Sequence, residues 1–255
     1  MAPEGTGPSY LSPARPRLFA HRGLAVDAPE NTLLAFAKAL ALGVEYLETD
    51  VHASSDGVAI ISHDPDLSRL IGRETRIDQL TAADLQQIDL GDGQTFTTLA
   101  AALDAFPDAR FNIDIKAMAA AAPTVDVIRA ARAEHRVMVG SFSNARRLAV
   151  TRELPMIATS VSSRGAVIAA WAAALGMRPL VTWAVRGSLA LQVPERILGA
   201  PTTSRRALAA FHAAGIEVHI WTINDAATMN RLLDAGVDGI MTDRADIAVE
   251  VFAER

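Results

Sequence analysis

The sequence predicts an α/β protein built as a (β/α)8 barrel, with a small insertion between the second and third barrel strands. The chain has 255 residues, close to the roughly 250 that one such barrel needs. Short runs rich in β-formers alternate with stretches rich in Ala and Leu, the pattern of a parallel sheet with crossover helices. Eight strand-like runs occur along the chain, and that number favours a closed barrel.

Each predicted strand is a short apolar run that ends in polar or turn-forming residues. The weakest is LALQV, since the run LVTWAV before it could also form the strand, and one of the two must then be a connection. In chain order the eight runs are RLFAH near Leu18, VEYLETDV near Tyr46, RFNIDIK near Ile113, RVMVGSF near Val139, MIATSV near Ile157, LALQV near Leu191, EVHIWTI near Ile220 and DGIMTD near Ile240.

Helical stretches separate these runs, and three of them stop at a glycine, a common helix terminator. The first stretch follows Asn31 and Thr32, either of which would make a sound N-cap worth about 0.5–2 kcal/mol. Among the predicted helical stretches are residues 32–42, 120–134, 163–175, 204–214 and 226–235, with Gly43, Gly215 and Gly236 as stops.

A single catalytic domain is predicted over residues 17–255, although two small domains remain an alternative. Residues 65–97 contain no clear βα unit and form the predicted insertion, which could cover one end of the barrel. Residues 1–16 are rich in Pro, Gly and Ser and are expected to form a loose leader without the apolar stretch of a signal peptide. The most apolar window is far shorter than the roughly 20 residues that cross a bilayer, so we expect a cytoplasmic location.

Composition narrows the class of protein further. Half of the residues are hydrophobic and 21% are charged, which suits a large globular core and argues against disorder. The formal charge of −5, with no evident basic run, argues against a nucleic-acid partner. The absence of cysteine excludes disulfides and thiolate metal sites. The oligomeric state is left open.

Polar side chains end several predicted strands, where active sites of such barrels lie. Glu48 and Asp50 are two residues apart on one strand and therefore share a face, and Asp114 occupies the same level on the next strand. Three carboxylates without sulfur suit Mg²⁺ or Ca²⁺. A salt-bridged carboxylate pair is the alternative. The strand-end residues are His21, Arg22, Glu48, Asp50, Asp114, Lys116 and Trp221.

A second histidine, His63, is expected to return to this level by a hairpin. Asp56-Gly57 lies between apolar runs and is a strong two-residue turn signal. Pairing Ser55 with Val58 would place His63 opposite Asp50, and a bulged turn would shift the register by one residue. The four other histidines receive no role. Trp221 is expected to form an apolar wall for the substrate. Phe142 could belong to the same wall or, as the alternative for both rings, to the ordinary core.

Eight short motifs, in order from residue 21 to 243, resemble those of the glycerophosphodiester phosphodiesterase family. Any one triplet is a weak signal, but the full ordered set is specific. The motifs are His21-Arg22-Gly23, Pro29-Glu30-Asn31-Thr32, Glu48-Thr49-Asp50, Asp56-Gly57, His63-Asp64-Pro65, Ile113-Asp114-Ile115-Lys116, Trp221-Thr222-Ile223-Asn224 and the run from Gly236 to Asp243.

The resemblance implies a barrel of the triosephosphate isomerase type that cleaves a glycerophosphodiester to an alcohol and glycerol 3-phosphate. It further implies that a divalent cation takes part, with Mg²⁺ or Ca²⁺ favoured and Mn²⁺ a third option. Carried over to this sequence, the metal ligands would be Glu48, Asp50 and Asp114, the phosphate-binding cations Arg22 and Lys116, and the acid/base pair His21 and His63, with Trp221 against the substrate. We expect His21 to be the base and His63 the acid, and the reverse order is left open.

One departure concerns the metal, because Asp114 stands where the family usually has Glu, and its shorter arm leaves metal preference open. Thr97 and Ala245 stand where proline is common, at two loop positions where they should affect local rigidity more than chemistry. Two other functions remain in play. One is a phospholipase D-like enzyme, such as a lysophospholipase D, acting on lipids. The other is a barrel that has lost catalysis and only binds phosphorylated ligands.

Overall fold

Eight parallel strands form a barrel in the computed structural model, which describes residues 9–255. Around the barrel the order is β5, β4, β3, β2, β1, β8, β7, β6, and a parallel bridge between Ser160 and Ala190 links β5 to β6. The strands are β1 Arg17–His21, β2 Tyr46–Ala53, β3 Arg110–Ile115, β4 Val137–Gly140, β5 Ala158–Thr159, β6 Ala190–Val193, β7 Glu217–Ile220 and β8 Gly239–Thr242.

The predicted barrel and all eight of its strands are confirmed. LALQV forms β6, whereas LVTWAV is the end of a helix in the connection before it. The helices of at least seven residues are α1 Leu33–Ala41, α2 Leu99–Ala105, α3 Ala121–Ala130, α4 Asn144–Thr151, α5 Ser163–Leu175, α6 Arg178–Val185, α7 Arg205–Ala213, α8 Ala226–Asp234 and α9 Ala245–Ala253. Within residues 9–255, none of the helices combines the length and apolarity needed to cross a membrane.

Side chains alternate between the two faces of each strand, so the apolar core consists of two clusters, one between the strands and the helices and one inside the barrel. On β2, Leu47 and Val51 pack in the large cluster that includes the barrel helices, whereas Tyr46 packs with Phe19 in a separate interior cluster. Side chains two residues apart on a strand share a face. Glu48 and Asp50 therefore point to the same side as Tyr46, into the barrel.

The predicted insertion is a small folded unit with its own apolar cluster. A strand at Ala59–Ile61 pairs antiparallel with β2, and two short hairpins and two single-turn helices follow before α2. The hairpin strands are Asp66–Leu67 with Arg73–Arg76 and Asp89–Gly91 with Gln94–Thr95, and the single-turn helices are Ser68–Ile71 and Ala82–Leu85. The buried members of the cluster are Ile60, Leu67, Ile77, Leu85 and Phe96.

Part of the predicted loose leader packs against the barrel. Residues 1–8 lie outside the described chain. Ser9–Leu11 forms a short 3-10 helix, and the buried ring of Tyr10 meets Tyr46 edge-on at a centroid distance of 5.3 Å. Residues 9–11 therefore close the end of the barrel where the strands begin.

A buried ion pair joins β1 to β7 at the same end. Arg17 donates from Nε to Glu217 Oε2 at 2.7 Å and from Nη2 to Glu217 Oε1 at 2.9 Å. It also donates to the Tyr46 hydroxyl at 2.8 Å. Burial alone would raise the pKa of Glu217, but the hydrogen bonds from Arg17 and His219 lower it to about 2.

The Glu217→Gln variant should be less stable than wild type by about 3 kcal/mol, because it leaves the buried Arg17 without its counterion. Since folding lowers the pKa of Glu217 from 4.5 to about 2, the stabilisation is complete above pH 4.5 and is lost as the pH falls towards 2. Urea unfolding from pH 7 to pH 3 should therefore show a difference between the variants that shrinks with acid. A difference independent of pH would refute the ion-pair account.

Candidate active site

A cavity of about 530 Å³ opens at the carboxyl ends of the barrel strands. Every residue predicted for the site lines it, namely His21, Arg22, Glu48, Asp50, His63, Asp114, Lys116 and Trp221. Their common position follows from parallel strands ending at one rim. Their roles stay predictions at this point.

The first strand ends in a sharp turn that directs two side chains into the cavity. Arg22 has a left-handed φ of 58°, and its backbone N–H donates to the Glu48 carbonyl at 3.0 Å and to Glu48 Oε2 at 3.2 Å. The next residue must be glycine, because a Cβ on Gly23 would lie 2.7 Å from the Ala35 carbonyl carbon. The turn therefore joins His21-Arg22 to the second strand.

His21 is held between two carboxylates. Its Nδ1 lies 2.6 Å from Asp243 Oδ1, and its Nε2 lies 3.8 Å from Glu48 Oε2. Burial favours the neutral ring, but the charge of Glu48 and the hydrogen bond to Asp243 outweigh it and raise the pKa of His21. Asn224 in turn donates to Asp243 at 2.8 Å. The contact at Nδ1 fixes the ring and leaves Nε2 towards the cavity.

The carboxylates of β2 and β3 share one lysine. Asp50 and Asp114 are direct partners in the parallel register, as the sequence predicts. The ammonium of Lys116 lies 2.8 Å from Asp50 Oδ1 and 2.8 Å from Asp114 Oδ2. Burial opposes ionisation of Asp50, but Lys116 and Arg22 lower its pKa. For Asp114 the effect of burial outweighs that of Lys116, and the pKa of Asp114 is raised.

Glu48 forms no salt bridge with a lysine or arginine of the described chain, and its nearest basic group is His21 Nε2 at 3.8 Å. Burial and the neighbouring charge of Asp50 raise the pKa of Glu48 to about 8, so the site favours a proton on Glu48 over a third negative charge. Arg22 Nε approaches Asp50 Oδ2 at 3.4 Å but is buried without a hydrogen-bond partner. A proton on Glu48, or a cation bound beside it, would relieve the repulsion between the two carboxyl groups of this strand.

Asn31 belongs to this site, whereas the sequence offered it only as a helix cap. Thr32 is the cap of α1 and accepts from Ala35 N. Asn31 has a left-handed φ of 58°, donates to Asp50 Oδ2 at 3.1 Å and accepts from the Thr49 hydroxyl at 2.8 Å. Asn31 therefore fixes the position of Asp50.

His63 reaches the cavity through a hairpin whose register differs from the two-residue turn. Ser54 pairs with Val58 across a three-residue loop, so Ser62 and not His63 lies opposite Asp50 and donates to its carbonyl at 3.0 Å. The extra loop residue is Ser55, and Gly57 takes the left-handed last position of the loop with a φ of 78°. The shift by one residue still leaves His63 in the cavity wall, as the bulged alternative predicted.

A chain of ion pairs links His63 to Arg22 through the insertion. His63 Nδ1 lies 2.7 Å from Asp64 Oδ1, and Asp64 Oδ2 accepts from Arg69 Nε at 2.5 Å. Arg69 also pairs with Glu30, which accepts from Arg22 Nη1 at 3.0 Å. The Nδ1 atoms of both site histidines thus face a carboxylate, and Arg69 connects the two halves of the cavity.

The apolar wall is present, but the predicted insertion does not form the rim. Trp221 and Phe142 meet at a ring centroid distance of 6.1 Å, and both line the cavity. None of residues 65–97 lines the cavity, whereas Pro194, Arg196, Ile197 and Leu198, which follow β6, do. The insertion acts on the site through Arg69, because its own apolar residues are turned into its core.

Four residues with clear positions in the site were given no function from the sequence, although all lie within the quoted motifs. Asn31 and Asp64 contact Asp50 and His63, and Asp243 and Asn224 extend the network from His21. A polar residue directly after a barrel strand is a usable signal for Asp243. No local signal in the sequence pairs it with His21, whose strand is more than two hundred residues away.

Comparison with known proteins agrees with this geometry. The model of the glycerophosphoryl diester phosphodiesterase family matches residues 21–247. A curated relative from Mycobacterium tuberculosis, "Probable glycerophosphodiester phosphodiesterase 2", is 43% identical over 239 residues, 92% of this chain and 90% of its own.

Two solved structures share the fold. A glycerophosphodiester phosphodiesterase from Agrobacterium tumefaciens has a TM-score of 0.75 at 24% identity, covering 92% of this chain and 99% of its own. A phosphodiesterase from Oleispira antarctica, solved with the product sn-glycerol-3-phosphate, has a TM-score of 0.76 at 24% identity, covering 94% and 98%. By the family match and the 43% identity together, this chain is an enzyme of the glycerophosphoryl diester phosphodiesterase family.

Proposed function

We propose that the chain hydrolyses glycerophosphodiesters to an alcohol and glycerol 3-phosphate, with His21 and His63 as the acid/base pair. The observation that carries the proposal is that each histidine holds a carboxylate at Nδ1 and lines the same cavity. A carboxylate at one ring nitrogen orients the other towards the reacting atoms. The product named for the Oleispira antarctica structure supports the choice of substrate.

In the proposed reaction an attacking hydroxyl, from water or from the substrate itself, gives its proton to Nε2 of His21 as its oxygen bonds to phosphorus. The phosphorus–oxygen bond to the alcohol breaks, and the alkoxide takes a proton from His63. If the substrate hydroxyl attacks, water opens the cyclic phosphate in a second step. The raised pKa of His21 favours its protonated form, so the exchange of the two roles is the alternative that has to be tested.

Arg22 and Lys116 are the proposed partners of the phosphate. Both line the cavity, and the Arg22 Nε has no hydrogen-bond partner in the structure. Lys116 is already held by two carboxylates, and a phosphate oxygen would compete with them for its three donors. The two cations would stabilise the charge that develops on the phosphoryl oxygens.

The donor set fits a divalent cation, which we propose as the cofactor. Glu48, Asp50 and Asp114 line one cavity, with Asp50 and Asp114 paired on neighbouring strands, and carboxylate oxygens are the ligands that Mg²⁺ and Ca²⁺ prefer. Within residues 9–255 no cluster of His, Cys, Asp or Glu is spaced as a finished metal site, and Lys116 now lies between two of the three carboxylates. The cation, when bound, would polarise a phosphoryl oxygen.

A second candidate, a lysophospholipase D-like activity, is favoured by the apolar character of one side of the cavity. Phe142, Trp221 and Ile197 line it, and Leu198 at the mouth is 77% exposed. Leu67, Leu70 and Ile71 of the insertion do not belong to this apolar side, because they pack into or against the insertion core. A barrel without catalysis is disfavoured, because no predicted site residue is missing.

A panel of diesters should separate these functions. The purified chain is expected to release glycerol 3-phosphate from glycerophosphodiesters with small alcohols, measured by a coupled glycerol 3-phosphate assay. Lysophosphatidylcholine should be a poorer substrate, judged by choline release. Turnover of the lipid alone would establish the second candidate, and binding of glycerol 3-phosphate with no turnover of any diester would leave only a binding protein.

A further inference from the structure

The hairpin of helices α5 and α6 carries an apolar surface that no other described element covers. Trp171 and Trp183 are 44% and 58% exposed, and the chain has only three tryptophans. Leu175 and Met177, between them along the hairpin, are exposed as well. On α5 the opposite face is buried and consists of alanines, so the large apolar side chains of this helix point outwards.

The same part of the chain is depleted of acidic residues. Between residues 154 and 216 there are six arginines and a single carboxylate, Glu195, although the whole chain has a formal charge of −5. Three of these arginines, Arg164, Arg178 and Arg186, are exposed on or beside the hairpin. The basic character of this segment comes from its lack of acidic residues and not from a run of consecutive basic residues, so no basic motif marks it in the sequence.

This surface is continuous with the mouth of the cavity. Ala166 and Val167 of α5 line the cavity, and the short antiparallel strands Arg196–Ile197 and Ala200–Pro201 pack against α5. Leu198 lies at the tip of those strands and is the most exposed large apolar residue of the described chain. The apolar and cationic surface therefore extends from the helical hairpin to the cavity rim.

We propose that this surface, made of α5, α6 and the tip at Leu198, binds the enzyme to the surface of an anionic lipid bilayer. Tryptophan prefers the boundary between headgroups and acyl chains, where its ring is apolar and its N–H stays wet. Each basic side chain near an anionic bilayer adds to the electrostatic attraction. A peripheral site combines these two features without a spanning helix.

Charge separates this partner from a second copy of the chain. A symmetric dimer through the hairpin would bring Arg164, Arg178 and Arg186 of both copies together without acidic partners, and like charges oppose such an interface. Double-stranded nucleic acid is bound chiefly through its phosphates. The exposed indole rings would have no role in such contacts. An anionic bilayer satisfies both the rings and the arginines.

Vesicle sedimentation tests the proposal. The full chain should bind vesicles of equal parts phosphatidylcholine and phosphatidylglycerol, bind phosphatidylcholine alone far less, and shift its tryptophan fluorescence to the blue on binding. The double variant W171A/W183A and the triple variant R164Q/R178Q/R186Q should each reduce binding at least 10-fold. Circular dichroism and the thermal unfolding midpoint of both variants should match those of wild type, which shows that they are folded.

The matched controls are Leu42→Ser and Arg73→Gln, at exposed positions outside this surface, and both should bind vesicles as wild type does. No binding of wild type to the anionic vesicles, or equal binding by the hairpin variants, would overturn the proposal. A dimer in light scattering that W171A/W183A converts to a monomer would assign the surface to self-association instead. The outcome does not depend on the proposed hydrolysis, since vesicle binding is measured without substrate.

Discussion

Alanine at either His21 or His63 should lower kcat for a glycerophosphodiester by at least about 100-fold, the low end for losing a positioned acid/base group. The structure supplies the reason, because both rings line one cavity and each is oriented by a carboxylate at Nδ1. Both variants should remain folded, with unchanged circular dichroism. Steady-state kinetics of the two purified variants provide the measurement.

The leaving group distinguishes acid from base. A nitrophenolate needs little protonation, so a nitrophenyl diester should restore much of the rate of the variant that lacks the acid. We expect this restoration for His63→Ala and not for His21→Ala, and the reverse would exchange the two roles. The double variant should lose much less activity than the product of the two single losses, because both histidines act in one proton-transfer sequence. His212→Ala is the control, since His212 lies on α7 and pairs with Asp238. Wild-type rates for both site variants would reject the acid/base assignment.

Removal of divalent cations should abolish hydrolysis, and Mg²⁺, Mn²⁺ or Ca²⁺ should restore it. Burial and the neighbouring charge of Asp50 raise the pKa values of Glu48 and Asp114, so both carboxyls would ionise more readily with a cation bound beside them. The measurement is turnover after EDTA treatment and desalting, with each metal added back separately.

Asp50→Ala tests the same site without a chelator. The variant should lose measurable metal affinity in calorimetry as well as turnover, because Asp50 is the carboxylate held most firmly, by Asn31 and Lys116. Asp104→Asn, an exposed change on α2, should alter neither. Full activity of a verified metal-free enzyme would remove the metal from the mechanism, and unchanged affinity of Asp50→Ala would move the site elsewhere.

Most of the barrel follows from local pattern. Strand runs that alternate with helical stretches, and the pairing of neighbouring parallel strands, are enough to set Asp50 opposite Asp114 before any coordinates are known. The LALQV run was uncertain because β6 and the end of α6 are both short apolar runs, and only packing of α6 against α5 separates them. Periodicity over a few residues does not contain that information.

The sequence predicts which residues line the site, but it predicts fewer of the contacts between them. His63 was expected one residue away from its actual register, because a three-residue loop with Gly57 competes closely with the two-residue turn. The bonds from His21 to Asp243 and from Asn31 to Asp50 join distant segments of chain. Their partners become neighbours only when the barrel closes, so no local rule could name them.

The insertion has a thermal consequence for the enzyme. Its small apolar cluster is separate from the barrel core, and small units of this kind open at lower free energy than the domain that carries them. Opening would withdraw Arg69 from Asp64 and Glu30 while the eight strands stay intact. Catalysis should then fail on warming below the melting temperature of the barrel, and residues 65–97 would set the working temperature of the enzyme.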